Sequence, residues 1–156
     1  MKKKSILMFS FLCVGILFFV TGCFNKTSIT AADFKSTMEG LNYQVLDGTE
    51  QFADYDYVKK AYLAIDYDKN YQIEFYQLSD EENAINFYKN NKSIFEDGKG
   101  SKYKETNNSG KNYEKYRLIT KDKYKVVSRI DNTVIFINVD DDLEKTVDDV
   151  LKELGY

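Results

Sequence analysis

The stretch KYKVVSRIDNTVIFINVDDDLEKTVDDVLKELG, residues 123–155, decides the fold. Tyr124, Val126, Ser128 and Ile130 alternate with Lys125, Val127 and Arg129, the period of a β-strand. Asp131-Asn132 then supplies turn chemistry, and a second strand follows over 133–139. That second strand is apolar on both sides, with Val134, Phe136 and Asn138 on one and Ile135, Ile137 and Val139 on the other. A strand apolar on both faces is expected near the middle of a sheet covered on both sides, at least in part. From Asp141 the period changes. Leu143, Val147, Val150, Leu151 and Leu154 make the stripe of a helix over 141–154, which Gly155 stops.

The same grammar extends upstream. Tyr71, Ile73 and Phe75 alternate in a strand over 71–78, joined through the turn-rich 66–70 to a strand carrying Ala61, Leu63 and Ile65. A helix over 80–96 carries Ala84, Phe87, Tyr88, Ile94 and Phe95 on its apolar side, and a helix over 31–41 carries Phe34, Met38 and Leu41. Thr30-x-x-Asp33, Ser79-x-x-Glu82 and Asp141-x-x-Glu144 each place a side-chain acceptor and an acid where a helix start uses them. With a short strand at 43–46 and one at Tyr116–Leu118, the order is αβββαβββα. This predicts an α+β two-layer sandwich, an antiparallel sheet with its helices on one face. Ile65-Asp66, the strand 71–78 and the helix 80–96 mirror Ile130-Asp131, the strand 133–139 and the helix 141–154, so the chain reads as two related ββα halves. Residues 97–112, rich in Gly, Asn and Ser, read as a mobile loop, and 47–56 as a second loop.

Composition narrows the chemistry. The 156 residues contain no His, Pro or Trp and only two Cys, with 22 Lys+Arg against 25 Asp+Glu. Without imidazole there is no Ser-His or Cys-His nucleophile pair and no His/Cys zinc site. The acidic balance argues against nucleic acid. Nothing in the sequence calls for a cofactor or a metal. Asp140, Asp141, Asp142 and Glu144 lack the alternate spacing and glycine of a calcium loop, and helix capping accounts for them.

The chain opens with Lys2, Lys3 and Lys4, followed by an apolar run of about fifteen residues from Ile6 to Val20, too short for a spanning helix. Val20-Thr21-Gly22-Cys23 then resembles the lipobox of bacterial lipoproteins, with Val where Leu is commoner at the first position. The resemblance covers these 23 residues. It implies cleavage between Gly22 and Cys23, a diacylglyceryl group on the Cys23 sulfur, and a place on the outer face of the cytoplasmic membrane. In composition the chain is similar to small uncharacterised lipoproteins of Gram-positive bacteria. The domains are then a signal peptide (1–22), a lipidated Cys with a short tether (23–30) and one α+β domain (31–156). Loss of residues 1–22 from the 156 leaves 134, with 19 Lys+Arg against 25 Asp+Glu and a net charge of −6. Such a domain is held at an anionic leaflet by its acyl chains rather than by bulk charge. The tether Phe24–Thr30 reaches about 25 Å at most, so partners are expected at or near the membrane.

All thirteen Tyr residues fall after the signal segment. Tyr62, Tyr71, Tyr76, Tyr113, Tyr116 and Tyr124 form a candidate binding surface, since Tyr offers a large contact area and a polar tip. The competing reading is that they fill half-buried sheet positions. Three functions follow as expectations. The first is a non-enzymatic binding or accessory lipoprotein with a membrane-proximal protein or peptide as partner. The second is a self-protection lipoprotein that intercepts cationic antimicrobial peptides. The third is a hydrolase working with carboxylates alone, or through Ser128 or Ser101 with a lysine.

Overall fold

A computed structural model describes residues 25–156; the expected signal segment and its expected cleavage junction at Gly22–Cys23 lie outside the described residues. The two-sided apolar segment is β7 (Thr133–Asp140), and it is the central strand of seven. It pairs antiparallel with β3 (Tyr71–Leu78), Phe75 opposite Ile135, and with β6 (Lys123–Ile130), Val127 opposite Phe136. Outward from β3 lie β2 (Val58–Asp66) and β1 (Gln44–Asp47). Outward from β6 lie β5 (Tyr113–Thr120) and β4 (Tyr103–Ser109). The open sheet thus runs β1-β2-β3-β7-β6-β5-β4, antiparallel throughout. Lys121 and Asp122 both take left-handed φ, 51° and 60°, the pair of values that a two-residue hairpin turn between β5 and β6 requires.

Among the described residues three α-helices cover this sheet. Alternation along the strands divides the core in two. Tyr71, Ile73, Phe75, Tyr124, Val126, Ile135 and Ile137 face α1 (Ala31–Gly40) and α3 (Glu144–Glu153), which contribute Phe34, Met38, Val147, Val150 and Leu151. Phe34 stacks on Phe75 with ring centroids 4.7 Å apart. Tyr76, Leu78, Tyr116, Leu118, Val127 and Val134 face α2 (Glu81–Asp97), which contributes Ala84, Tyr88 and Phe95. The helices therefore lie on both faces, not on one, and the expected two-layer sandwich is corrected to three layers. The cause is β7 itself: a strand apolar on both sides needs cover on both sides. The chain also leaves β3 and β7 onto opposite faces, so the two ββα halves are not copies related by a two-fold axis.

Local corrections have equally direct causes. β4 replaces the expected loop at 97–112, and the order becomes αβββαββββα. It is exposed along its whole length and held by its ladder to β5, so it shows no apolar alternation. Thr30 and Asp33 form the expected capping box. For α2 the cap moves one residue, to Asp80, whose carboxylate accepts from the Asn83 N–H at 2.8 Å. For α3 the cap is absent: Asp141–Leu143 form a 3₁₀ turn, and Leu143 stands at the start without a side-chain bond. Ile94 points to solvent, because the buried stripe of α2 runs 84, 88, 95.

Candidate functional site, an aromatic and amide groove

Residues 48–57 link β1 to β2 and carry aromatic side chains toward the first half of α2. Thr49–Phe52 form a 3₁₀ turn, fixed to β2 where the Ala61 N–H donates to the Thr49 hydroxyl at 3.1 Å. The Tyr55 N–H donates to the Phe52 carbonyl (2.8 Å), and the Val58 N–H to that of Tyr55 (2.9 Å). The segment is joined to α2 by the Ser79 N–H, which donates to the Tyr57 carbonyl at 2.8 Å, and by the Asn83 amide, which donates to the Ser79 hydroxyl at 2.9 Å.

These links hold a run of rings. Tyr57 and Tyr55 lie 5.8 Å apart, Tyr55 and Phe52 6.4 Å, Phe52 and Tyr76 5.5 Å, and Tyr76 and Phe87 4.7 Å. Beside them opens a groove of about 510 Å³, lined by Phe52, Tyr55, Tyr57, Val58 and Phe87 with Asn83, Asn86 and Asn90. The three Asn residues recur at i, i+3 and i+7, one face of α2. Asn83 spends its N–H₂ on Ser79 and Asp80, which leaves its oxygen as an acceptor. Asn86 and Asn90 are exposed, and their amides bond to nothing among the described residues. Tyr55 is half exposed. Among the described residues no carboxylate, ammonium or thiol lines the groove. Around it Glu50, Asp54, Asp56 and Glu82 are exposed, against the cations Lys59 and Lys89. Flat apolar faces beside paired amide donors and acceptors, under a negative rim, are suited to holding a ligand.

The tyrosines singled out from sequence do not gather into one surface. Tyr71 and Tyr124 are buried on the α1/α3 side, Tyr76 and Tyr116 on the α2 side, and Tyr62 and Tyr113 are half-buried. Tyr76, Tyr116 and Tyr124 bury their rings while their hydroxyls reach carboxylates at the rim, and Tyr71 makes its hydroxyl bond inside the core. Tyr71 shares a hydrogen bond with Tyr43, Tyr76 donates to Glu74 (2.5 Å), Tyr116 to Glu105 (2.7 Å) and Tyr124 to Asp148 (2.7 Å). Burial, together with the Glu105 carboxylate, pushes the Tyr116 phenol up to about 12. Tyr71, Tyr76 and Tyr124 are raised as well, burial being the main cause in each. Of the six, only Tyr76 touches the groove's rings, through Phe52 and Phe87. The residues that line the groove had one legible sign in the sequence, the helical spacing of three Asn beside Phe87.

Ser128 and Lys115 are directly opposed across β5 and β6. The buried Ser128 hydroxyl donates to the Glu114 carbonyl (3.3 Å), whereas the Lys115 ammonium donates to the Tyr156 backbone oxygen (3.3 Å). Ser101 lies exposed before β4. Among the described residues no three acids or sulfurs converge on a position for a metal ion. Asp140 instead pairs with Lys123 at 2.5 Å. Among the described residues, too, no helix is long and apolar enough to cross a membrane.

No protein-family model, curated protein or solved structure matches this chain.

Proposed function

We propose that the protein is an extracytoplasmic lipoprotein, anchored through diacylglyceryl-Cys23, with a non-enzymatic role in which the aromatic and amide groove binds a ligand at the membrane. The carrying observation is the meeting of Asn83, Asn86 and Asn90 with Phe52, Tyr55, Tyr57 and Phe87 across one cleft. Amide side chains pair with the N–H and C=O groups of a peptide backbone, and the rings take its apolar side chains. An extended peptide segment is the ligand class this lining supports best.

A second reading is favoured by the rim. Glu50, Asp54, Asp56 and Glu82 would draw cationic peptides toward the rings, which supports a self-protection lipoprotein that intercepts antimicrobial peptides of that charge. A carboxylate hydrolase finds no acid on the groove lining.

Calorimetric titration of the detergent-solubilised full chain with a cationic amphipathic peptide, its charge-neutralised analogue and a neutral oligosaccharide separates these readings. Saturable binding of both peptides supports the peptide groove. Binding of the cationic form alone supports interception. Tyr55→Ala and Asn86→Ala are expected to weaken binding at least tenfold, and Tyr103→Ala, at an exposed Tyr elsewhere, to leave it unchanged. Equal affinity in all three variants, or saturation by the oligosaccharide alone, refutes the peptide reading. An unmodified Cys23 in the mass spectrum of protein from native membranes refutes the anchor.

A further inference from the structure

Where the described chain begins, it is pinned to the sheet. The Lys26 N–H donates to Asn112 Oδ1 (3.1 Å) and the Lys26 carbonyl accepts from Asn112 Nδ2 (2.7 Å). The same Asn112 amide donates to Asp131 at 2.9 Å. The Lys26 ammonium lies 5.3 Å from the centre of the Tyr113 ring and donates to the Gly155 carbonyl at 3.1 Å. Only Phe24 and Asn25 separate Cys23 from a fixed point, about 10 Å when extended. Whatever surrounds Lys26 stands beside the anchor.

What surrounds it is cationic. Lys26, Lys115 and Arg117 share a pocket of about 560 Å³ with Asn107, Asn108 and Tyr113. Lys115 and Arg117 come to the same face because they are two residues apart on β5. Lys115 is 6% exposed. Its ammonium is held below its ordinary range, at about 8, by burial first and then by the like charges of Arg117 and Lys26. The helix end supplies part of its surroundings. Gly155 takes φ 79°, the Gly155 N–H returns to the Lys152 carbonyl and the Tyr156 N–H to that of Leu151, and this turn presents backbone oxygens to Lys26 and Lys115. Each lysine donates one hydrogen bond to it. Among the described residues one side-chain carboxylate stands within ion-pair distance of the three cations. It is Asp148, which lies 3.2 Å from Arg117 and also accepts from Tyr124. The Arg117 Nε is buried without a partner. Lys104 on β4 and Lys111 in the β4–β5 loop are exposed close by in the strand pairing, Lys104 being opposite Ile119. Three cations set against one side-chain carboxylate, Asp148, and the main-chain oxygens of Gly155 and Tyr156 keep an excess of positive charge, which favours a bound anion.

We infer that this pocket binds the phosphate of an anionic phospholipid headgroup and that the β4–β5 edge is the side the domain turns to the bilayer. The lipid as source rests on the lipoprotein reading; the phosphate chemistry of the pocket does not. Cations beside an anionic leaflet each strengthen attachment roughly fivefold, and the charge of the rest of the domain does not cancel them beyond a Debye length.

The test uses the full chain purified from membranes, reconstituted in vesicles of phosphatidylcholine alone or of phosphatidylcholine with an equal part of phosphatidylglycerol. Acetylation of Lys26 and Lys111 by a water-soluble reagent is followed by mass spectrometry. Phosphatidylglycerol is expected to slow both at least threefold, with Lys145, on α3, as the unaffected control. Lys26→Gln combined with Arg117→Gln is expected to abolish the protection of Lys111. Lys111→Gln, at an exposed loop position, is expected to reduce that of Lys26 while leaving the thermal unfolding temperature unchanged. A parallel arm adds inorganic phosphate to the phosphatidylcholine vesicles, and another adds a phosphopeptide. Protection by phosphatidylglycerol beyond either solute supports the inference. Protection by phosphate or phosphopeptide without any by the lipid overturns the lipid as ligand, and no protection in any arm overturns the site. Protein that fails to associate even with phosphatidylcholine vesicles defeats the anchor reading instead, and its phosphate arm still decides the pocket.

Discussion

Replacement of Arg129 by Met isolates the link between α2 and the sheet. The Arg129 side chain is 4% exposed and its guanidinium makes three bonds: Nε to Glu114 (3.2 Å), and Nη1 to Glu81 (3.0 Å) and to the Asp131 carbonyl (3.0 Å). A charge-assisted hydrogen bond contributes about 1.5–3 kcal/mol. Loss of one partner from a fully buried ion pair costs about 3–5 kcal/mol. Here Glu81 is about half exposed and Glu114 about a quarter exposed, so both recover water when the guanidinium leaves. Met retains the apolar stem, which keeps the cavity contribution small. The expected loss is about 2–3 kcal/mol, most of it from Glu114 and the Asp131 carbonyl. Glu81→Gln, at an exposed position, is expected to cost less than about 1 kcal/mol. The double variant should show a coupling of about 0.5–1 kcal/mol, since the two residues touch. Urea unfolding at neutral pH, with an unchanged denaturant slope, supplies all three values. If Arg129→Met lies within 0.5 kcal/mol of the parent, or the coupling is zero, Arg129 does not tie the start of α2 to β6. The groove, whose Asn83 stands in that first turn, then needs another explanation for its rigidity.

Two further outcomes test the layers and the phenols. Phe34→Leu and Phe95→Leu, on opposite faces, are each expected to cost about 1–1.5 kcal/mol and to add within about 0.5 kcal/mol, because the sheet separates their partners; strong coupling in a double-mutant cycle would contradict the three-layer arrangement. Tyr116 has a folded value of about 12, raised above its unfolded value near 10. Its contribution to stability is therefore fully present below pH 10 and is lost as the pH rises through 12. Ultraviolet titration should show Tyr71, Tyr76, Tyr88, Tyr116, Tyr124 and Tyr156 ionising only above the ordinary phenol range or on unfolding. Tyr116→Phe should flatten stability between pH 10 and 12, and an unaltered slope would show the phenol to be unperturbed.

The central place of β7 was legible because its residues are apolar on both sides, and burial on both faces is the physical cause of that pattern. The same fact implies helices on both faces. Helix periodicity shows which residues of α2 and α3 are buried, but not which face of the sheet buries them. β4 was invisible for the converse reason. A strand exposed on both sides and held by backbone bonds to one neighbour leaves no mark in side-chain polarity. The tyrosines stayed open to two readings because a long amphipathic side chain serves burial and recognition equally well; the positions of the Tyr76, Tyr116 and Tyr124 hydroxyls, satisfied at the rim by Glu74, Glu105 and Asp148, show the burial use. The groove depends on side chains from 52–58 and from 83–90, two segments whose meeting is a tertiary event that no local pattern encodes.

The groove and the basic pocket lie on different parts of the sheet, and their separation yields a prediction that neither site makes alone. The groove belongs to the α2 side, beside β2 and β3, whereas the basic pocket opens beside β4 and β5 on the face that carries α3. From β2 to β5 are four strand spacings, about 20 Å. With the β4–β5 edge against lipid, the groove opens away from the bilayer, toward whatever diffuses to the membrane. Tyr55→Ala should therefore abolish peptide capture by vesicle-bound protein while leaving Lys26 and Lys111 as protected as in the parent. Lys26→Gln with Arg117→Gln should do the reverse. The two proposed functions are expected to be independent, because no residue lines both sites and about 20 Å is about two Debye lengths at physiological salt. Should either variant change both readouts, the sites would be coupled through the sheet, and the assignment of opposite sides to membrane and ligand would fail.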